Sequence, residues 1–300
     1  MMARPKARLV VPSFFPEARK LRGEFEDLYS DPGRVDPRRF RWDLFHVEGQ
    51  YSHLRTPAYL FFSESLYRRF HERLVDWGRR TLGCHDVSPT WLSLYLDGNE
   101  QRLHADVPHG PWAFVYSLTL PSPRRKGGET LFLSEETLDF WRSFASGDRF
   151  EESRIVESVE PRFGQLLAFD GRIPHGVRQV EGTRDPLHGR LVIHGWFVEP
   201  RPFIEGPHRR DQVSRAVEAF SEGIEAWMPP SARLHGTMSV RLNIAKDGKI
   251  SKIQKLASTL RDLEGASADG IERKALRALA EINYGKAKGA SILTLPLLFR

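Results

Sequence analysis

His104-Ala105-Asp106 and the distant His175 are the residues of this chain best suited to chemistry. In an extended segment, side chains at i and i+2 point to the same side, so the His104 imidazole and the Asp106 carboxylate can converge on one point. Two imidazoles and one carboxylate bind one face of a divalent metal and leave positions open for further reactants, as in non-haem Fe(II) centres. The pair alone decides little. The chain has 11 His and 39 acidic residues, and a His-x-Asp among them is expected by chance. Its surroundings carry the reading.

Those surroundings are strand-like. From Pro89 onward, short apolar runs bounded by Gly, Pro or Asp cover 91–96, 112–120, 130–133, 154–159, 166–169, 174–180 and 190–198. Short strands at such spacing predict a sandwich or barrel, which folds distant strands beside each other. His104 follows the turn Asp97-Gly98-Asn99, where a strand restarts, and His175 opens one of the later runs. A helical insert is expected at about 135–145. Ahead of this core, a short strand at Ala7–Val11 precedes an amphipathic helix opened by Pro16, with Leu21, Phe25 and Leu28 on one face. Asp31-Pro32-Gly33 ends it. A second helix is expected from a Ser63 cap to about Arg80, with Leu66, Phe70, Leu74 and Trp77 at helical spacing and Gly83 closing it. Residues 34–58 read as irregular.

Residues 91–198 resemble the double-stranded β-helix of the 2-oxoglutarate/Fe(II)-dependent dioxygenases, in particular the prolyl-4-hydroxylase-like branch. Four features carry the resemblance in order: Tyr95 and Gly98 ahead of His104-x-Asp106; the turn Gly127-Gly128-Glu129-Thr130; Phe169 with His175 and Val177; and Arg190 ahead of Trp196-Phe197. The resemblance implies that His104, Asp106 and His175 hold Fe(II). It also implies that 2-oxoglutarate chelates that iron and places its far carboxylate on a buried cation, for which an Arg fork is well suited. Arg190 is the expected cation. It stands further from His175 than in many relatives, which an insertion at Asp185–Gly189 reconciles, and Arg184 is its rival. Tyr95 is expected either to hydrogen-bond the co-substrate or to be a core aromatic. Tyr116 lies one position from a family tyrosine contact, where this chain has Ser117. His109 is expected in a loop at the pocket mouth, and His109, His188 and His194 read as surface or core histidines. The implied activity is hydroxylation of a protein or peptide side chain, with O2 consumed, succinate and CO2 released, and ascorbate as an accessory reductant.

Pro200, Pro202, Gly206 and Pro207 mark the end of the oxygenase-like domain, placed at 1–205. A helical linker is expected over 206–235, with its helix at about Asp211–Trp227 stopped by Pro229-Pro230. Residues 236–300 form a strand-strand-helix-strand pattern. Met238, Val240, Leu242 and Ile244 alternate on one face, Asp247-Gly248 signals a hairpin turn, Ile250–Leu256 returns, Ile271–Ile282 is helical, and Ile292–Phe299 closes the sheet. This segment resembles the C-terminal domain of TonB-like proteins, through Gly236-x-x-x-Val240-x-Leu242-x-Ile244, Asp247-Gly248-Lys249-Ile250 and Ser258-Thr259-Leu260. The resemblance implies a partner-docking or dimerisation role. The expected fold class is therefore α+β: a jelly-roll oxygenase core with flanking helices and a small C-terminal ββαβ domain.

Composition excludes other classes. Of the 300 residues, 40% are hydrophobic and 28% charged, which supports a packed core and excludes wholesale disorder. Cys84 is the single cysteine, so neither an intrachain disulfide nor a cysteine-based zinc cluster can form. No apolar run reaches the length of a membrane span, and the apolar stretch near the N-terminus is too short for a signal-peptide core. The expected location is cytoplasmic, without membrane partners. The net charge of +6 is spread out, with only Arg124-Arg125-Lys126 clustered, which argues against nucleic acid. A small-molecule hydroxylase of the same class and a non-catalytic binding protein with a vestigial barrel are the alternatives. The intact His-Asp-His set argues against the second.

Overall fold

The computed structural model describes residues 8–106, 109–134, 137, 155–223, 228, 230, 232–262 and 268–299. The expected insert at 135–145 lies outside these residues apart from Thr137. The chain divides into two compact units. Among the described residues, one comprises those of Arg8–Leu74 and Val87–Val198, and the other those of Val75–Asp86 and 199–299.

The first unit is built on one large antiparallel sheet. Its strands are β1 (Arg8–Val11), β2 (Asp43–Val47), β3 (Tyr51–Pro57), β5 (Trp91–Tyr95), β6 (Glu100–His104), β7 (Trp112–Ser117), β8 (Thr130–Leu133), β9 (Val156–Val159), β10 (Leu166–Phe169), β11 (His175–Val177) and β12 (Arg190–Pro200), with β4 (Cys84–Val87) between β3 and β5 in sequence. Hydrogen bonding runs in the order β1-β10-β7-β12-β5-β3-β6-β11-β8-β9, and β2 forms a hairpin with β3. The sheet curls on itself. Arg8 of β1 forms an ion pair with Glu157 of β9, so the first and last strands of this order meet. The Phe132 and Phe169 rings, from β8 and β10, pack edge-to-face at 4.9 Å inside the curl. This mixed architecture with a curled antiparallel sheet is consistent with the expected jelly-roll core.

Two helices flank it where the apolar spacing placed them. Helix α1 (Ala18–Tyr29) buries Leu21, Phe25 and Leu28. After the single-turn α2 (Ala58–Phe61), α3 (Glu64–Thr81) buries Leu66, Phe70 and Leu74. Phe70 packs against the Phe15 ring at 5.4 Å and the Tyr116 ring at 4.8 Å. The Ser63 hydroxyl donates to the Glu24 carboxylate, tying the start of α3 back to α1.

The segment 34–58 is not irregular. It holds the β2–β3 hairpin, and β3 lies in mid-sheet between β5 and β6. Its sequence, Tyr51-Ser52-His53-Leu54-Arg55-Thr56-Pro57, hides the strand because one face carries polar rather than apolar side chains. That face lines a cavity, so the usual apolar alternation is replaced by an alternation of functional residues.

The second unit holds an antiparallel sheet in the order β13-β17-β14-β15, where β13 is Phe203–Glu205, β14 Leu234–Ile244, β15 Ile250–Ser258 and β17 Ser291–Phe299. A two-residue strand β16 (Arg261–Asp262) pairs with β14. Helices α4 (Arg210–Glu222) and α5 (Ala268–Glu281) pack on this sheet. Met238, Val240, Leu242 and Ile244 are buried together with Val213, Ala216 and Phe220 of α4 and Ile271, Ala275 and Leu279 of α5. The helix expected within 206–235 thus contributes its apolar face to the same core. Residues 75–86 are bound to this unit: Ser239 Oγ donates to Leu82 O at 2.9 Å, and Arg241 donates to Arg80 O at 2.6 Å. Among the described residues no helix is long and apolar enough to cross a membrane.

Candidate metal and co-substrate site

Strand pairing brings the two histidines together. β6 and β11 are antiparallel neighbours, and His104 and His175 are direct register partners. Their ring centroids lie 4.6 Å apart. Asp106, two residues beyond the end of β6, completes the group, and one ligand atom from each of the three falls within 4.8 Å of the others. Asp106 Oδ1 is 3.5 Å from His104 Nε2, and Oδ2 is 3.4 Å from His175 Nε2.

Backbone carbonyls set both tautomers. His104 Nδ1 is 2.8 Å from Arg102 O, and His175 Nδ1 is 2.9 Å from Ile173 O. A carbonyl oxygen only accepts, so each Nδ1 carries a proton and each ring turns its Nε2 toward Asp106. Trp196 Nε1 donates to Asp106 Oδ2 at 3.0 Å and orients the carboxylate. Burial raises the Asp106 pKa, but hydrogen bonds from the two histidines outweigh it and hold the carboxyl well below its ordinary range. Burial lowers the His104 pKa, and the contacts with Asp106 and Arg102 O reverse that and leave it raised. Two neutral imidazole nitrogens and one anionic oxygen make a donor set that suits a divalent iron with open positions.

The triad opens into a cavity of about 500 Å³. Its wall is written in period two: Arg190, Val192, His194 and Trp196 from β12, and Tyr51, His53 and Arg55 from β3. Arg190 is only 1% exposed. Its Nη2 donates to Thr130 Oγ1 at 3.3 Å, but Nε and Nη1 have no hydrogen-bond partner. Its Cζ lies 4.7 Å from the centroid of the Tyr95 ring, and Tyr95 is its direct register partner across β5–β12. Burial lowers the pKa of this guanidinium. A buried cation with two unsatisfied nitrogens calls for an anion. The rival Arg184 has a side chain 90% exposed and stands 3.8 Å from Asp97. Arg190 is thus the buried guanidinium of the cavity, whereas Arg184 is in solvent.

The Gly127-Gly128 turn makes room for this cation. Both residues have positive φ, and a Cβ on Gly128 would sit 3.1 Å from Arg190 Cδ. Tyr95 is buried, lines the cavity and donates its hydroxyl to Gln101 Oε1 at 3.2 Å. Gln101 Nε2 in turn lies 3.2 Å from His104 Nε2. Tyr116 is a core aromatic, its buried hydroxyl without a partner. His109 stacks on Trp196 at 4.5 Å, and His194 bonds Ser93 Oγ at 2.8 Å, both on the cavity wall. His188 is a peripheral residue, 3.1 Å from Ser122 Oγ.

Sequence reasoning missed His53, Arg55, Gln101 and the indole of Trp196 as parts of this site. His53 is 2% exposed and stacks on Tyr95 at 4.7 Å. The i, i+2 spacing of Tyr51, His53 and Arg55 was the available signal for a strand facing a polar pocket.

Residues 90–198 match the 2OG-Fe(II) oxygenase superfamily. That match, over the segment that carries the His-Asp-His group, makes the protein an oxidoreductase that uses Fe(II) and 2-oxoglutarate. Among solved structures the chain is similar to a Pseudomonas putida prolyl-4-hydroxylase, with 20% identity over 64% of this chain and 92% of that one, at a TM-score of 0.43. It is also similar to HygX from Streptomyces hygroscopicus with nickel, 2-oxoglutarate and hygromycin B bound (16% identity, 64% and 82% covered, TM-score 0.40). A third is a Trichoplax adhaerens prolyl hydroxylase in complex with a hypoxia inducible factor peptide fragment (15%, 64% and 83%, TM-score 0.39). None of the curated proteins compared with the chain matches it.

Proposed function

We propose that this oxygenase domain hydroxylates a protein or peptide side chain, with His104, Asp106 and His175 holding the iron and Arg190 holding the far carboxylate of 2-oxoglutarate. The observation that carries the reading is one cavity containing both a convergent His-Asp-His donor set and a buried guanidinium whose Nε and Nη1 lack acceptors. When bound, iron and 2-oxoglutarate supply an oxidation that consumes O2 and yields succinate, CO2 and a hydroxylated product. The protein's share is positional. The Arg102 and Ile173 carbonyls keep both Nδ1 protons in place. Trp196 fixes one carboxylate oxygen of Asp106. Tyr95 supports the Arg190 guanidinium with its ring, and its hydroxyl stands in the same cavity for the co-substrate. Apolar wall residues such as Val192 and Phe169 limit water around the reacting groups.

The prolyl-4-hydroxylase-like motifs favour a peptide substrate. So does a second body of TonB-like pattern, which we read as a docking module. Its strand β15 ends the sheet order, offering an edge to an added strand among the described residues. The test is succinate formation from 2-oxoglutarate by Fe(II)-loaded protein with ascorbate, beside His104→Ala. Turnover in the wild type and its loss in the variant are expected. If the wild type binds neither metal nor 2-oxoglutarate, the reading is wrong.

A further inference from the structure

A second guanidinium faces the same cavity. β3 places Tyr51, His53 and Arg55 on one face, and all three line the pocket. Arg55 Cζ lies 3.6 Å from the Phe45 ring centroid and 4.4 Å from that of Trp91. Aromatic faces attract a cation but satisfy none of its N–H groups. Arg55 Nε is buried without a hydrogen-bond partner. Asp43 is its direct register partner on β2, yet the two form no ion pair. The guanidinium is held against the rings, and its Nε is left for an acceptor that the described residues do not supply.

The remaining basic groups of the pocket narrow the choice. His53 and His194 stand beside both guanidiniums. Burial first, and neighbouring positive charge second, push their pKa values down to about 3 and about 4, so both are neutral at physiological pH. The arginines among the described residues of the cavity are Arg190 and Arg55. A 2-oxoglutarate molecule has two carboxylates, one for the metal and one for a single buried cation. With Arg190 taking the latter, Arg55 is left over.

We infer that Arg55, braced by Phe45 and Trp91, receives a carboxylate of the prime substrate, so the molecule hydroxylated here is an acid. The inference rests on the oxygenase reading above and names the substrate class of that site. The carboxylate belongs either to a free organic acid or to an Asp, Glu or C-terminal residue of a peptide.

The experiment uses the full chain loaded with redox-inert Zn(II) and 2-oxoglutarate. Ligand-observed NMR compares two probe sets: small carboxylic acids with their primary amides, and acidic decapeptides with their Asn/Gln counterparts. In one of the sets the acids are expected to bind at least tenfold more tightly than their amides. Arg55→Gln is expected to abolish that preference while changing 2-oxoglutarate affinity less than twofold. Arg55→Lys keeps the charge and loses the fork, so it should retain part of the preference; it also serves if the Gln variant does not fold. Absence of an acid preference in both sets, or its survival in Arg55→Gln, overturns the proposal. A tenfold loss of 2-oxoglutarate affinity in Arg55→Gln also overturns it, by assigning this cation to the co-substrate. Failure of wild type to bind 2-oxoglutarate in a metal-dependent way is a different result, and the oxygenase reading falls with it.

Discussion

The Asp106 carboxylate accepts from the neutral indole Trp196 Nε1 at 3.0 Å, and a backbone carbonyl holds Nδ1 of each histidine. Such outer partners typically account for about 10–100-fold in metal affinity. Trp196→Phe keeps the ring and removes the donor, so metal affinity is expected to fall by about that factor with little change in stability, as read by metal titration and thermal melting. Arg190 presents the opposite balance. Its buried charge lacks acceptors for Nε and Nη1 in the free protein, an unfavourable state that a bound carboxylate relieves. Arg190→Met should therefore leave the free protein as stable or about 1–2 kcal/mol more stable. The wild type should gain about 2.7 kcal/mol at 2-oxoglutarate concentrations 100-fold above Kd, and the variant should gain nothing. Melting curves with and without 2-oxoglutarate decide this. A variant that still gains stability would remove Arg190 from the co-substrate site.

The site exists because β6 and β11 are neighbours in the sheet. His104 and His175 face each other across that pair, and Gly176 lets the strands approach: a Cβ there would lie 2.3 Å from Gln101 O. Gly176→Ala must push the two strands apart. The expected cost is about 1–3 kcal/mol, as for overpacking. Metal affinity should drop at least tenfold, because the displacement falls on the pair that carries both imidazoles. Chemical denaturation and metal titration measure the two effects separately, and unchanged metal affinity would count against the register argument. The β2–β3 hairpin makes the complementary point. Tyr51, His53 and Arg55 occupy one face of a central strand, yet the segment has the composition of a loop. Residues that face a ligand cavity are chosen for that ligand, so an element built around function loses the apolar alternation by which strands are recognised.

At the scale of the whole molecule, acid sensitivity follows from the buried histidines. His53 and His194 have folded pKa values near 3 and 4, depressed mainly by burial, against about 6.5 when unfolded. Between those values the unfolded chain binds more protons than the folded one, so stability rises with pH. Each group contributes a slope of about 1.4 kcal/mol per pH unit, fully present stability above about pH 6.5 and progressive loss as pH falls toward 4. Melting temperatures from pH 7 to 4.5 should fall steeply in the metal-free protein, and His53→Phe should reduce the slope. A flat profile would show that these rings are not held neutral. The sequence by itself determined the donor types, the i, i+2 geometry of His104 and Asp106, the apolar faces of α1 and α3, and the alternation of β14, because these depend only on local periodicity and side-chain chemistry. It also favoured Arg190, but spacing could not separate it from Arg184. Tertiary structure separates the two, burying one guanidinium at 1% exposure beside Tyr95 and leaving the other in solvent. It likewise decided that β3 is a strand and that Arg55, His53 and Trp196 line the cavity. Burial, strand neighbours and the absence of a counter-ion arise only when distant segments meet, and no local pattern in the chain encodes them.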